Sequence, residues 1–118
     1  MTFRTTSTTV EDGFRRDARQ GDFFWARFQA VTGDVRTSPV FVAGSDNDCQ
    51  DVIVCLCTTK SPRTKYDVRL HLAGRDACIR TNKIYTILRT QLLQEIDHQS
   101  SPNEMTRILG SVKSVFGF

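Results

Sequence analysis

Residues 51–59, DVIVCLCTT, decide the architecture. Side chains alternate faces along a strand, so an apolar run from Val52 to Cys57 needs cover on both faces and a central place in a sheet. Downstream, the polar loop KSPRTK (60–65) leads to YDVRLHL (66–72), where Val68, Leu70 and Leu72 alternate with Arg69 and His71. That pattern is a half-buried strand. The turn AGRD (73–76) then opens ACIRTNKIYTI (77–87), two β-branched apolar flanks broken by Arg80, Thr81, Asn82 and Lys83. Such a break is costly unless its groups face water, find partners or serve a site.

Upstream, DFFWARF (22–28) is an aromatic-rich strand and VTGD (31–34) a turn. PVFVAG (39–44) reads as a strand opened by Pro39, a position that need not donate to a ladder, and GSDND (44–48) as a loop. After Ile87 the period shifts, and TQLLQEI (90–96) is compatible with a short helix. SPNEM (101–105) starts a longer one, with Ser101 as N-cap, Pro102 in the first position and Glu104 completing a capping box. Met105, Ile108, Leu109, Val112, Val115 and Phe116 follow at helical spacing, and Gly117 can stop the helix. Gly110 inside this stripe suggests a close approach. The expected fold is mainly β with a C-terminal helix: a small barrel, closed or capped by that helix, over residues 20–118. Residues 1–19 read as an extension, flexible or briefly helical.

A chain of 118 residues, 39% apolar and 25% charged, is one soluble domain. No run approaches the roughly 18 apolar residues of a membrane helix, and the opening lacks a signal-peptide centre, so a cytoplasmic protein without membrane contact is expected. The net charge of +3 permits a nucleic-acid partner without requiring one. Lys60, Arg63 and Lys65 crowd one loop, where solvated charges are the ordinary reading. Cys49, Cys55, Cys57 and Cys78 lack metal-ligand spacing and read as reduced thiols; no metal or cofactor is expected.

Four segments in order resemble the PemK/MazF toxins of bacterial toxin–antitoxin pairs: GDFFWARF (21–28), VTGDVRTSPVFV (31–42), DVIVCLCTTK (51–60) and ACIRTNKIYTI (77–87). The resemblance implies the SH3-like barrel of MazF- and CcdB-type toxins and a symmetric homodimer. It also implies a metal-independent endoribonuclease (an mRNA interferase) cutting single-stranded RNA at a preferred sequence, and a cognate antitoxin that covers the RNA groove. A catalytically weakened RNA- or partner-binding module is the second reading. Gyrase poisoning, known for a related barrel, ranks last because the basic loops favour RNA.

Metal-free cleavage uses the 2′-hydroxyl of RNA as nucleophile, and donors must hold the charge developing on the phosphorus oxygens. By the resemblance, Arg80 falls on the catalytic arginine and Thr58 and Thr59 on a hydroxyl pair, while Arg36 lies in the basic loop before Pro39. Arg80, Thr58 and Arg36 are therefore the expected catalytic groups. Thr59, Asn82, Lys83, Asp34, Lys60 and Arg63 are the expected substrate contacts. A guanidinium holds phosphate bidentately and is a poor proton donor, which favours an electrostatic role for Arg80. Taken without the resemblance, Arg80 has a lesser alternative as a surface arginine in an ion pair, Arg36 reads equally as a mobile surface arginine, and the two threonines read as ordinary strand ends. Asn82 stands where many relatives carry a carboxylate, Lys83 replaces a glutamine, and Ser38 replaces the arginine before the proline. An amide takes no proton at neutral pH, so Asn82 cannot act as the general base that a carboxylate there would be.

Overall fold

The computed structural model describes residues 17–45 and 50–118. The expectations for residues 1–16 and for Cys49 fall outside them. Among the described residues six strands, β1 (Phe23–Gln29), β2 (Val35–Ser45), β3 (Asp51–Thr58), β4 (Asp67–Leu72), β5 (Arg75–Leu88) and β6 (Leu92–Ile96), precede one helix, α1 (Pro102–Val115). They form one antiparallel sheet in the order β4-β5-β3-β2-β1-β6. β3 is interior to it and, apart from the exposed Ile53, buried on both sides, as its apolar run requires. Val52, Val54 and Leu56 enter one cluster with Phe24, Ala26, Phe28 and Val40, whereas Cys55 and Cys57 enter a second with Phe23, Phe41 and Ile79. Burial pushes the Cys55 thiol up to about 12 and Cys57 higher still, so both are inert apolar groups.

The sheet does not close into a barrel. β4 and β6 are its two ends, and no ladder joins them. Leu72 of β4 and Ile96 of β6 nevertheless share the second cluster and line one cleft, so the sheet curls until its edges face each other across a seam. Helix α1 covers the β4–β5 side through Ile108, which is fully buried, with Met105, Leu109 and Val112 half-buried around it. Ser101 Oγ accepts from the Glu104 N–H at 3.1 Å, and Gly117 leaves the helix at φ 83°, as the sequence predicts.

Three local expectations are corrected. The segment 90–96 is not a helix: a 3-10 turn (Arg89–Gln91) leads straight into β6, which pairs with the free edge of β1. One residue of β6 is skipped where Trp25 pairs with Gln94 and Ala26 with Leu92. That slip flips faces, sending Leu92 into the first cluster and Ile96 into the second, so their spacing of four mimics a helix. Pro39 lies inside β2 rather than at its start. It is tolerated because β2 pairs there only with β1, through Trp25; pairing with β3 begins at Val40.

Gly110 makes no close approach, since a Cβ there would meet nothing within 4 Å. The glycine that packs on the helix is Gly21, at φ 101°, where a Cβ would sit 2.9 Å from Met105 Cε. Gly110→Ala is therefore expected to stabilise the fold by about 1 kcal/mol, read as a higher urea midpoint at unchanged slope.

At the start of α1, Glu104 Oε1 lies 2.7 Å from His98 Nε2, whose ring meets Phe23 edge-on at 4.9 Å. Burial would raise the Glu104 carboxyl, but the His98 hydrogen bond and the charges of His98 and Arg107 outweigh it and hold the group below its ordinary value. A lowered carboxyl contributes stability that is complete above its unfolded value and is lost as pH falls through the folded one. Glu104→Gln should thus lower the urea midpoint at pH 7 and flatten the loss between pH 5 and pH 3.

Candidate nucleic-acid interface

The polar break in β5 is a bulge. Cys55 of β3 pairs with Ile84, and the next residue, Leu56, pairs with Arg80, so Thr81, Asn82 and Lys83 are extruded from the ladder. Thr81 turns inward and is fully buried. Its N–H donates to Tyr66 O at 3.2 Å, and its hydroxyl lies 2.6 Å from both Tyr66 O and Ser111 Oγ of α1. This threonine finds partners that pin the bulge between the β3–β4 loop and the helix. Three extra residues also change parity: Arg80 and Tyr85, which an unbroken strand would send to opposite faces, oppose Leu56 and Val54 on one face of β3.

Next to the bulge is a cleft of about 380 Å³ lined by Arg36, Thr58, Lys60, Arg63, Arg80, Lys83 and Tyr85, with Thr32, Ser38 and Cys57 among the rest of its wall. Five cations converge on it, and among the described residues no carboxylate or imidazole lines it. Among the described residues none of the five is in an ion pair. Their mutual repulsion makes the cleft a place where an anion is stabilising. The loop carrying Lys60 and Arg63 is preformed: Asp67 Oδ2 accepts from the Arg63 N–H at 2.7 Å and the Thr64 N–H at 3.3 Å. Thr58 Oγ1 accepts from the Lys60 N–H at 3.2 Å, which leaves the hydroxyl proton free to donate to a ligand.

Arg36, Thr58, Lys60, Arg63, Arg80 and Lys83 are therefore together. Thr59 lines neighbouring clefts instead. Asn82 is half-buried in the bulge and does not line the cationic cleft. Asp34 sits in the β1–β2 turn, where its Oδ2 accepts from Thr32 Oγ1 at 3.2 Å, and it too is outside the lining.

The sequence matches the PemK-like, MazF-like toxins of type II toxin–antitoxin systems over residues 19–116. The chain belongs to this toxin family. No curated protein matches it in sequence. In three dimensions it is similar to MazF from Deinococcus radiodurans (TM-score 0.70, 17% identity, covering 86% of this chain and 97% of that one). An endoribonuclease from a mycobacterial species, solved with its cognate antitoxin, gives TM-score 0.68 at 15% identity, covering 86% and 96%. The Mycobacterium tuberculosis toxin MazF-mt6 gives 0.65 at 13%, covering 80% and 95%. At such identities the likeness is one of fold. Within the described residues no helix is long and apolar enough to cross a membrane.

Tyr85, which the sequence presents only as part of an apolar flank, is a further residue of the cleft. It is half-buried, packs on Phe28 at 5.0 Å and forms one wall of the cationic cleft. An aromatic just beyond a polar break was the available signal.

Proposed function

We propose that this toxin is a metal-independent endoribonuclease that cleaves single-stranded RNA by attack of the 2′-hydroxyl. The observation that carries the reading is the convergence of Arg80, Arg36, Lys83, Lys60 and Arg63 with the Thr58 hydroxyl on one cleft of a toxin-family chain. The Arg80 fork and the Thr58 hydroxyl hold the non-bridging oxygens of the scissile phosphate, and the lysines and remaining arginines neutralise its charge as it grows. The 2′-oxygen bonds to phosphorus and the bond to the 5′-oxygen breaks, leaving a 2′,3′-cyclic phosphate and a 5′-hydroxyl. The 2′-hydroxyl proton passes to solvent, and water protonates the departing oxygen, because among the described residues no carboxylate or imidazole lines the cleft and Cys57 stays a thiol. The target is mRNA in the cytoplasm, cut at a preferred short sequence. A homodimer and a cognate antitoxin that covers the cleft complete the system, as the solved antitoxin complex of a mycobacterial relative suggests.

The missing base favours a second reading, an RNA-binding module with weak or no cleavage. Incubation of the purified chain with a long single-stranded RNA in EDTA separates the two. Discrete cuts ending in 5′-hydroxyls support the nuclease; retention of intact RNA supports the binder; the absence of both cutting and retention rejects RNA as the ligand.

A further inference from the structure

The seam between the two sheet edges holds a second cleft, of about 370 Å³, at the lower end of the range for small-ligand sites. Trp25 and Pro39, cross-strand partners on β1 and β2, line it together with Ile96 of β6, the strand paired to β1; Leu72 and Ala77 of the β4–β5 hairpin line it from the other sheet edge. Trp25 is 38% exposed on a strand that otherwise buries its aromatics, although it shares the face of Phe23 and the second cluster. Because the sheet stops short of closure here, the indole is left partly exposed beside apolar side chains. Hydroxyl donors rim the gap at Ser38, Thr58 and Thr59, together with Arg75.

The seam is continuous with the cationic cleft. Ser38, Cys57 and Thr58 line both, so the hydroxyl read as a phosphate donor stands on the border between a charged hollow and an apolar one. Single-stranded nucleic acid offers that pairing, a charged backbone with a flat apolar base beside each phosphate, and proteins that hold it combine cationic tracks with aromatic platforms. We propose that the seam is a nucleobase site, in which a base adjoining the phosphate at Arg80 and Thr58 stacks on Trp25, with the hydroxyls of Ser38 and Thr59 at its edge. The inference rests on the RNA-cleaving reading and extends it, since it places base selection in the seam rather than among the cations.

Trp25 is the single tryptophan of the chain, so its emission reports the seam directly. The test titrates the full chain with a fluorescein-labelled 2′-O-methyl RNA, which cannot be cut, following label anisotropy and tryptophan emission in parallel. Expected are quenching of Trp25 at the midpoint of the anisotropy change, about 5- to 150-fold weaker binding by Trp25→Ala, and largely restored binding by Trp25→Phe. An oligomer of abasic sugar-phosphate should bind parent and Trp25→Ala equally. Tight RNA binding with unchanged emission, or undiminished binding by Trp25→Ala, would overturn the nucleobase site and leave the cationic cleft standing. Weaker binding accompanied by dissociation of a dimer in sedimentation would overturn it in favour of a second copy seated on the seam. Failure of the parent to bind RNA at all would overturn the RNA reading, and this inference with it.

Discussion

Arg80→Ala is expected to reduce RNA cutting by about 10²- to 10³-fold, the loss typical of removing one preorganised donor from a developing oxyanion. The fold should survive. Arg80 is held by its backbone, paired to Leu56 on β3 and to Asp67 on β4, so truncation of its half-buried side chain leaves both ladders intact. It also relieves repulsion among five crowded cations. Thermal melting should therefore move little while the cutting rate in EDTA collapses. Arg80→Lys keeps the charge but loses the planar fork, and should fall between parent and alanine variant. Undiminished cutting by Arg80→Ala would remove this residue from the mechanism.

Ile108→Ala is expected to cost about 2–5 kcal/mol, a large share of the roughly 5–15 kcal/mol that holds a domain of this kind together. Ile108 is the one position of α1 among the described residues that is fully buried, and it enters the second cluster with Val68 and Leu70 of β4 and Ala77 and Ile79 of β5. Its neighbours Met105, Leu109 and Val112 are already half-buried against that cluster and are poorly placed to fill the hole. The consequence reaches the cleft, because α1 carries Ser111, whose hydroxyl lies 2.6 Å from that of Thr81 in the bulge. A loosened helix frees the bulge between Arg80 and Lys83. Urea unfolding measures the stability loss, with Ile108→Val as a control at about 0.5–1.5 kcal/mol. A loss under 1 kcal/mol for the alanine variant would show that α1 is held elsewhere.

Much of this could be read from local chemistry. The uninterrupted run Val52–Cys57 required a doubly covered strand, and β3 is that strand. The alternation in Val68–Leu72, the Ser101–Pro102–Glu104 start and the Gly117 stop each appear where their spacing put them. Ala73 at φ 52° and Gly74 at φ 79° form the two-residue hairpin turn within AGRD. Segments whose state depends on a distant partner were misread. β6 is a strand because β1 has an open edge, and Gly110 is free because the helix packs over Gly21.

The order of residues alone determined a mainly β domain with one capped C-terminal helix, and it marked Arg80–Lys83 as a break that packing could not explain. Only the tertiary structure divided that break: Thr81 to the interior, Arg80 and Lys83 to the cationic cleft, Asn82 to neither. It alone brought Arg36, Thr58, Lys60 and Arg63 from three separate segments to the same hollow and left Asp34 and Thr59 out. The physical reason is that periodicity encodes which face a side chain takes along one strand. A bulge of three residues, or a sheet that halts before closing, resets that face through contacts no local pattern contains.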